Sequence, residues 1–228
     1  MPDTSGRTVA LVTTTSLFCL SGVALLAALP VQLAGSLIHP QGERIVDLLS
    51  PFQAPAHLIM FGTWFLVLLG LPGLYAYQAH KTGLLGLIGF IASVFTTVTV
   101  MFIVLFEASP AVLLAQNPAM QEAIVPGGPL SHGGELIGGV LAMLGLLAYP
   151  LFGLATLRAR VFPRAVGWLQ IAAPFIGAAP TLLIPDEVLF SIPGPVQPIA
   201  LLYYVLVVGY ALGGYVLWQM HPQPAGAA

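Results

Sequence analysis

Glu135-Leu-Ile-Gly-Gly-Val-Leu-Ala-Met-Leu-Gly-Leu-Leu-Ala-Tyr-Pro150 decides how the whole chain is to be read. Between Leu141 and Leu147 it stays apolar without alternating. That excludes the inward–outward period of a membrane β-strand and leaves a helix that is apolar on every side. Such a helix is stable inside lipid or a very large core. The segment before it, Pro126-Gly-Gly-Pro-Leu-Ser-His-Gly-Gly, is polar and glycine-rich. It gives the helix a sharp start, with Ser131 as the expected N-cap.

The rest of the chain has the same character. Hydrophobic residues make up 58% and charged residues 6% of the 228 positions, against roughly a quarter charged in a soluble domain. There is too little polar surface to clothe a globule. A hydrocarbon core about 30 Å thick takes roughly 20 apolar residues per helix. Six runs of that kind are present, at 9–34, 58–78, 84–106, 135–157, 165–184 and 197–218. The expected fold class is therefore an all-α membrane protein, a six-transmembrane-helix bundle forming one integral domain over 1–228, with no soluble module. The first run is longer than the roughly 7–15 residues of a signal-peptide core and has no small-residue cleavage site, so it is read as a span.

The connectors set the orientation. Arg7, Lys81, Arg158, Arg160 and Arg164 fall on one side and Arg44 on the other. The positive-inside rule makes the first side cytoplasmic, so both termini are expected in the cytoplasm of a cell with the chain in its plasma (inner) membrane. Glu43, Asp47, Glu107, Glu122, Glu135, Asp186 and Glu187 then all lie outside, with Asp3 alone inside. A net charge of −2 with no basic stripe excludes nucleic acid as a partner. The only cysteine, Cys19, sits within the first run and reads as a small hydrophobe.

Within this frame several local expectations follow. Pro72, Pro150, Pro174 and Pro180 fall inside spans, where a missing donor predicts kinks. Residues 78–83 read as a tight inner turn. The outer connector 36–56 carries an amphipathic pattern suited to a short interfacial helix. The outer connector 108–130, with its Asn117-Pro and Gly128-Pro, has the length of a functional or disordered loop. An internal repeat also suggests itself: His57-Leu-Ile aligns with Glu135-Leu-Ile, and Pro72 then falls on Pro150. Helices 2–3 and 4–5 would be two parallel-oriented hairpins with their polar ends meeting outside.

The chemistry gathers at those ends. His57, Glu107, His132 and Glu135 form an imidazole–carboxylate set of the kind that holds a divalent metal in helix bundles. His132 and Glu135 share one helix face at i, i+3. His57 and His132 could instead clamp a haem b between helices. The plainer alternative is that polar side chains sit at helix ends because lipid tolerates them there. His39, His80 and His221 lie on connectors and read as solvated. The middles of the spans carry no charge, which argues against proton pumps and voltage sensors.

The function expected from these residues is an outward-facing metal or haem site acting on a membrane-soluble substrate. Whether it is an enzyme is left open. The rival expectations are a permease for a small neutral or lipophilic solute, and an accessory subunit or homo-oligomer. In the last case Gly134–Gly139 and Gly209–Gly214 would allow close helix approach to a membrane-protein partner.

Overall fold

Residues 53–108 form a single helical element, α3 (Gln53–Ala108), of 56 residues. A straight helix of that length would extend about 84 Å, nearly three bilayer cores. The computed structural model shows that it doubles back instead. Gly83 has φ 55° and ψ −146°, the non-helical torsion pair inside α3, a combination open to glycine and strained for other residues. On either side of it the rings of Tyr75 and Phe90 stack with centroids 4.6 Å apart. At the far end His57 and Glu107 touch. α3 is thus an antiparallel hairpin with a one-residue break.

The structure describes residues 5–40, 42, 44–125, 128–130, 135–184, 188 and 198–220, and the side chains of these except at 5–14, 135–143, 178–179 and 181–182. Among the described residues every regular element is helical. α1 (Ser5–Ile38) precedes a four-residue helix, α2 (Ile45–Leu48), and the α3 hairpin. The short helices α4 (Pro110–Ala115) and α5 (Gln121–Ile124) follow, with a 3₁₀ turn at Pro118–Met120 between them. Then come α6 (Glu135–Ala159), α7 (Arg164–Leu183) and α8 (Pro198–Trp218). The long helices close into a ring: α1 packs on α3, α3 on α6, α6 on α7, α7 on α8, and α8 back on α1.

The expected runs fall on these helices, with ends that differ by up to a few residues. α1 continues to Ile38 rather than stopping at 34. The inner turn is narrower than 78–83, since helix persists to Thr82. The prolines leave helical structure continuous: Pro72, Pro150, Pro174 and Pro180 all lie inside their helices. The connector 108–130 is neither an open loop nor a lid. Most of it folds as α4, the 3₁₀ turn and α5, where Asn117 caps the turn by accepting from the Ala119 N–H at 3.2 Å and Gln121 donates to the Ala115 carbonyl at 2.9 Å. Leu48, Ala111, Ala115 and Ile124 form a small separate core beneath this cap. Ser131, Glu43, Asp186, Glu187 and His221 lie outside the described residues.

Among the described residues three helical stretches are long and apolar enough to cross a membrane: Thr15–Ile38, Gln53–Ala115 (α3 with α4) and Pro198–Trp218. Their outward faces carry large exposed apolar side chains, among them Leu20, Leu37, Leu84, Phe95 and Tyr215. This supports a helical membrane protein. In lipid the hydrophobic effect gives helices no reason to associate, so close packing must hold them together. Glycines supply it. A Cβ on Gly22 would lie 2.6 Å from the Gly214 carbonyl oxygen where α1 crosses α8. One on Gly153 would lie 2.6 Å from the Gly167 carbonyl oxygen between α6 and α7. Gly209 faces Leu169 and Gly213 faces Leu74, so the glycine stripe of α8 packs within this chain.

The α3–α6 contact also sets a register. A Cβ on Gly89 would meet the Phe152 backbone, the Ser93 hydroxyl donates to the Ala148 carbonyl at 3.5 Å, and Gly145 faces Thr96. Each step forward along α3 is matched by an equal step back along α6. Carried outward, this antiparallel register sets Phe106 opposite Glu135, so Glu107 stands level with the start of α6. Carried inward, it brings the Gly83 break level with Arg158. The two hairpin turns therefore share one end of the bundle, opposite the His57–Glu107 end.

Candidate functional site

The site begins with where α1 stops. Pro40 lacks an amide proton and cannot extend the helix, so the chain leaves α1 at Ile38 and His39 emerges at its tip. His57 lies one turn into α3, at 1% exposure. Its Nδ1 stands 2.9 Å from the Gln53 carbonyl oxygen one turn back. A carbonyl accepts only, so Nδ1 carries the proton and donates. The His39 Nδ1 is held the same way by the Pro40 carbonyl. Both rings are thereby turned so that Nε2 points into the site.

There the polar atoms converge. His57 Nε2 lies 2.7 Å from Glu107 Oε2 and 3.3 Å from His39 Nε2, and the imidazole rings sit 4.7 Å apart, tilted at 56°. Glu107 arrives from the opposite strand of the hairpin, fifty residues along the chain, with 21% of its side chain exposed. That partial exposure opens the cluster at the end of the bundle opposite the Gly83 turn.

The proton count of this trio is informative. With Nδ1 already donating, the 2.7 Å contact needs one further proton, either on His57 as imidazolium or on Glu107 as carboxylic acid. Charge-assisted bonds of this length are among the stronger ones. His39 is held below the ordinary histidine range, first by burial and then by the neighbouring His57, against the opposing pull of the Pro40 carbonyl, Glu107 and Asp47. It therefore presents a neutral Nε2 lone pair toward His57.

Nearby, Arg44 pairs with Asp47 at 3.2 Å, but Arg44 is 80% exposed, and a surface pair of that kind contributes little. It steadies α2 beside the site. Phe106 packs into the small core formed by α2, α4 and α5, which pins the helix turn that carries Glu107.

The sequence expectation is met in part. His57 and Glu107 come together through the hairpin. His132 lies outside the described residues. Glu135 opens α6 level with Glu107 in the register above, and its side chain lies outside the description. His39 was expected to be solvated; it is instead half-buried and in the cluster, because the extra turn of α1 carries it to the depth of His57. The signal for it in sequence was His39-Pro40, a histidine fixed at a helix terminus by the proline after it.

The donor chemistry can be tested against a metal. Imidazoles that ligate metals usually donate their other ring N–H to a carbonyl or carboxylate, as both rings do here. An Nε2–Nε2 separation of 3.3 Å also matches the edge of a tetrahedron with bonds of about 2.05 Å. Yet among the described residues no three His, Cys, Asp or Glu side chains form a set that could hold an ion. The three groups run in series, with His57 in the middle. A haem fits poorly, because an axial bond needs an unobstructed Nε2, and that of His57 has two neighbours within 3.3 Å.

No family model, curated protein or solved structure matches the chain.

Proposed function

We propose that this chain is a six-span plasma-membrane protein with both termini in the cytoplasm, whose outer end binds a divalent transition-metal ion. His39 and His57 would supply imidazole ligands and Glu107 a carboxylate once its contact with His57 opens, and the sequence adds His132 and Glu135 as further candidates. The observation that carries the reading is the pair of imidazoles with Nε2 atoms 3.3 Å apart and both Nδ1 groups tied to backbone carbonyls. Zinc suits mixed imidazole–carboxylate ligation best.

The chain's own residues do most of the work in this reading. Binding displaces the proton held between His57 and Glu107, so affinity should rise with pH. A bound ion of this kind would supply an acidified water. The carboxylate not used as a ligand stands ready as a base toward a membrane-soluble substrate. The basic residues support this orientation: Lys81 and Arg158–Arg164 flank the two turns at the end opposite the site, the end that the positive-inside rule would assign to the cytoplasm. The accessory-subunit reading has less support, since the α8 glycines pack internally.

The experiment is zinc titration of detergent-purified protein after chelation, with released protons counted. Near-stoichiometric binding with proton release, lost in His57→Ala and weakened at least tenfold in His39→Ala, is the expected result. Absence of saturable binding in the wild type would end the metal reading.

A further inference from the structure

A second group of polar side chains lies deeper, on the inside of the ring. Trp64 is on α3 seven residues beyond His57, about 10 Å further in, and is fully buried. Its ring meets Tyr203 of α8 edge-on at 5.1 Å between centroids. Tyr149 of α6 lies beside Tyr203 and Thr97, and Tyr210 of α8 lies within electrostatic reach of Tyr149. Tyr149, Thr97 and Tyr210 are at most 2% exposed.

Helical side chains lean toward the N-terminus of their helix. The α3–α6 register sets Thr97 level with Leu144, about one turn N-terminal of Tyr149, so the Tyr149 hydroxyl reaches the depth of Thr97. The groups thus form one connected series, from below the His57 cluster to the middle of the bundle.

Trp64 Nε1 and Tyr210 Oη have no hydrogen-bond partner among the described residues, while Tyr149 Oη and Thr97 Oγ1 face each other just outside full hydrogen-bond geometry. Buried polar groups are nearly always hydrogen-bonded, and leaving one unsatisfied is destabilising. Such groups gathered on one interior surface are hard to explain by packing, since phenylalanine and valine would fill the same space without them. The chemistry selects the guest. Trp64 N–H donates and cannot accept, and the three hydroxyls can all donate. No Lys, Arg, Asp or Glu is buried among them, so an ion would go uncompensated. The surrounding side chains, Val100, Phe152, Leu206 and Val207, are apolar.

We infer that the ring of helices encloses a binding site for a neutral lipophilic molecule bearing carbonyl oxygens, of the quinone or ketone class, which accept from Trp64, Tyr149 and Tyr210. This site goes beyond the metal reading and stands without it. If both hold, it gives that reading its membrane-soluble substrate, with the ligand's polar end pointing toward His57.

The test uses chelated, detergent-purified protein in which Trp168→Phe and Trp218→Phe leave Trp64 as the single indole; both replaced residues are exposed on the bundle's outer face. Decyl-benzoquinone is titrated against Trp64 fluorescence. Saturable quenching is expected, with affinity falling about fivefold to tenfold in Tyr149→Phe or Tyr210→Phe, the loss of one hydrogen bond. Decylbenzene, with no oxygen, should not quench or compete. Linear, non-saturable quenching, equal affinity in the Phe variants, or equal competition by decylbenzene would each overturn the inference. Retained far-UV dichroism and thermal midpoint in the Phe variants guard against misfolding, and binding to chelated protein separates this result from failure of the metal site.

Discussion

The α3 hairpin ends in two different ways, and the contrast explains how the molecule divides its labour. Its closed end is backbone: one glycine with torsions few other residues tolerate, beside an exposed lysine, with nothing within 4 Å of the position a Cβ would take. Its open end is side chain: His57 and Glu107 joined at 2.7 Å, with His39 of α1 added. The closed end is specified by local conformation and needs no partner. The open end exists only when three chain segments arrive at the same depth. Chemistry that requires convergence is thus placed where the fold is assembled over the longest range.

The sharpest way to break this contrast is His57→Leu. It removes the ring that links the other two groups and leaves a mostly buried carboxylate with one partner fewer. A loss of about 2–4 kcal/mol is expected, together with loss of zinc binding, read by thermal unfolding in detergent and by metal titration. If stability holds, the open end is not a unit.

Gly83→Ala should come next. No steric obstacle exists, so the whole effect is conformational, about 1–3 kcal/mol. Zinc affinity in the folded fraction should stay within about twofold if the two ends are independent in the sense of distant sites. A large drop would mean that the turn sets the depth of His57 against Glu107.

The α6–α7 turn provides a smaller probe in the opposite direction. Arg160 holds φ 55° as a non-glycine residue, so Arg160→Gly should stabilise by about 0.5–1 kcal/mol by relieving that conformation. A neutral or destabilising outcome would show that the Arg160 side chain contributes something the backbone geometry does not reveal.

Acidity should give the smallest effect. The folded protein holds His39 below its ordinary value, so between that lowered value and about 6.5 the unfolded chain binds more protons. The His39 contribution to stability therefore falls as pH drops through that window. In chelated protein, wild type should lose stability relative to His39→Gln on going from neutral to mildly acidic buffer. The reverse trend in thermal midpoints would reject a neutral His39.

The helical character was legible because lipid imposes a length on apolar runs, and the turns at Gly83 and between Ala159 and Arg164 are short. The pairing of His57 with Glu107 was legible for the same reason, since a hairpin with matched arms must bring its ends together. His39 was not legible. Its place depends on α1 running four residues further than the apolar pattern required, about 6 Å of helix, and propensity sets helix ends weakly. The cap was missed because α4 and α5 are too short to show a period; they are stabilised by Leu48, Ala115 and Ile124 meeting in space. Pro72, Pro150, Pro174 and Pro180 lie within continuous helices, and proline marks a lost donor without fixing how far a helix bends. His132, half of the haem expectation, falls outside the described residues, and Glu135 enters through register alone.

The single-residue break at Gly83 also bears on how the protein is made. In the proposed six-span arrangement, with no slack between its arms, the two halves of α3 would enter the bilayer together as one hairpin. His57 and Glu107, remote in the chain, would then be paired at the moment of insertion, before α6, α7 and α8 have been synthesised. The later helices would be received by a polar centre already half built.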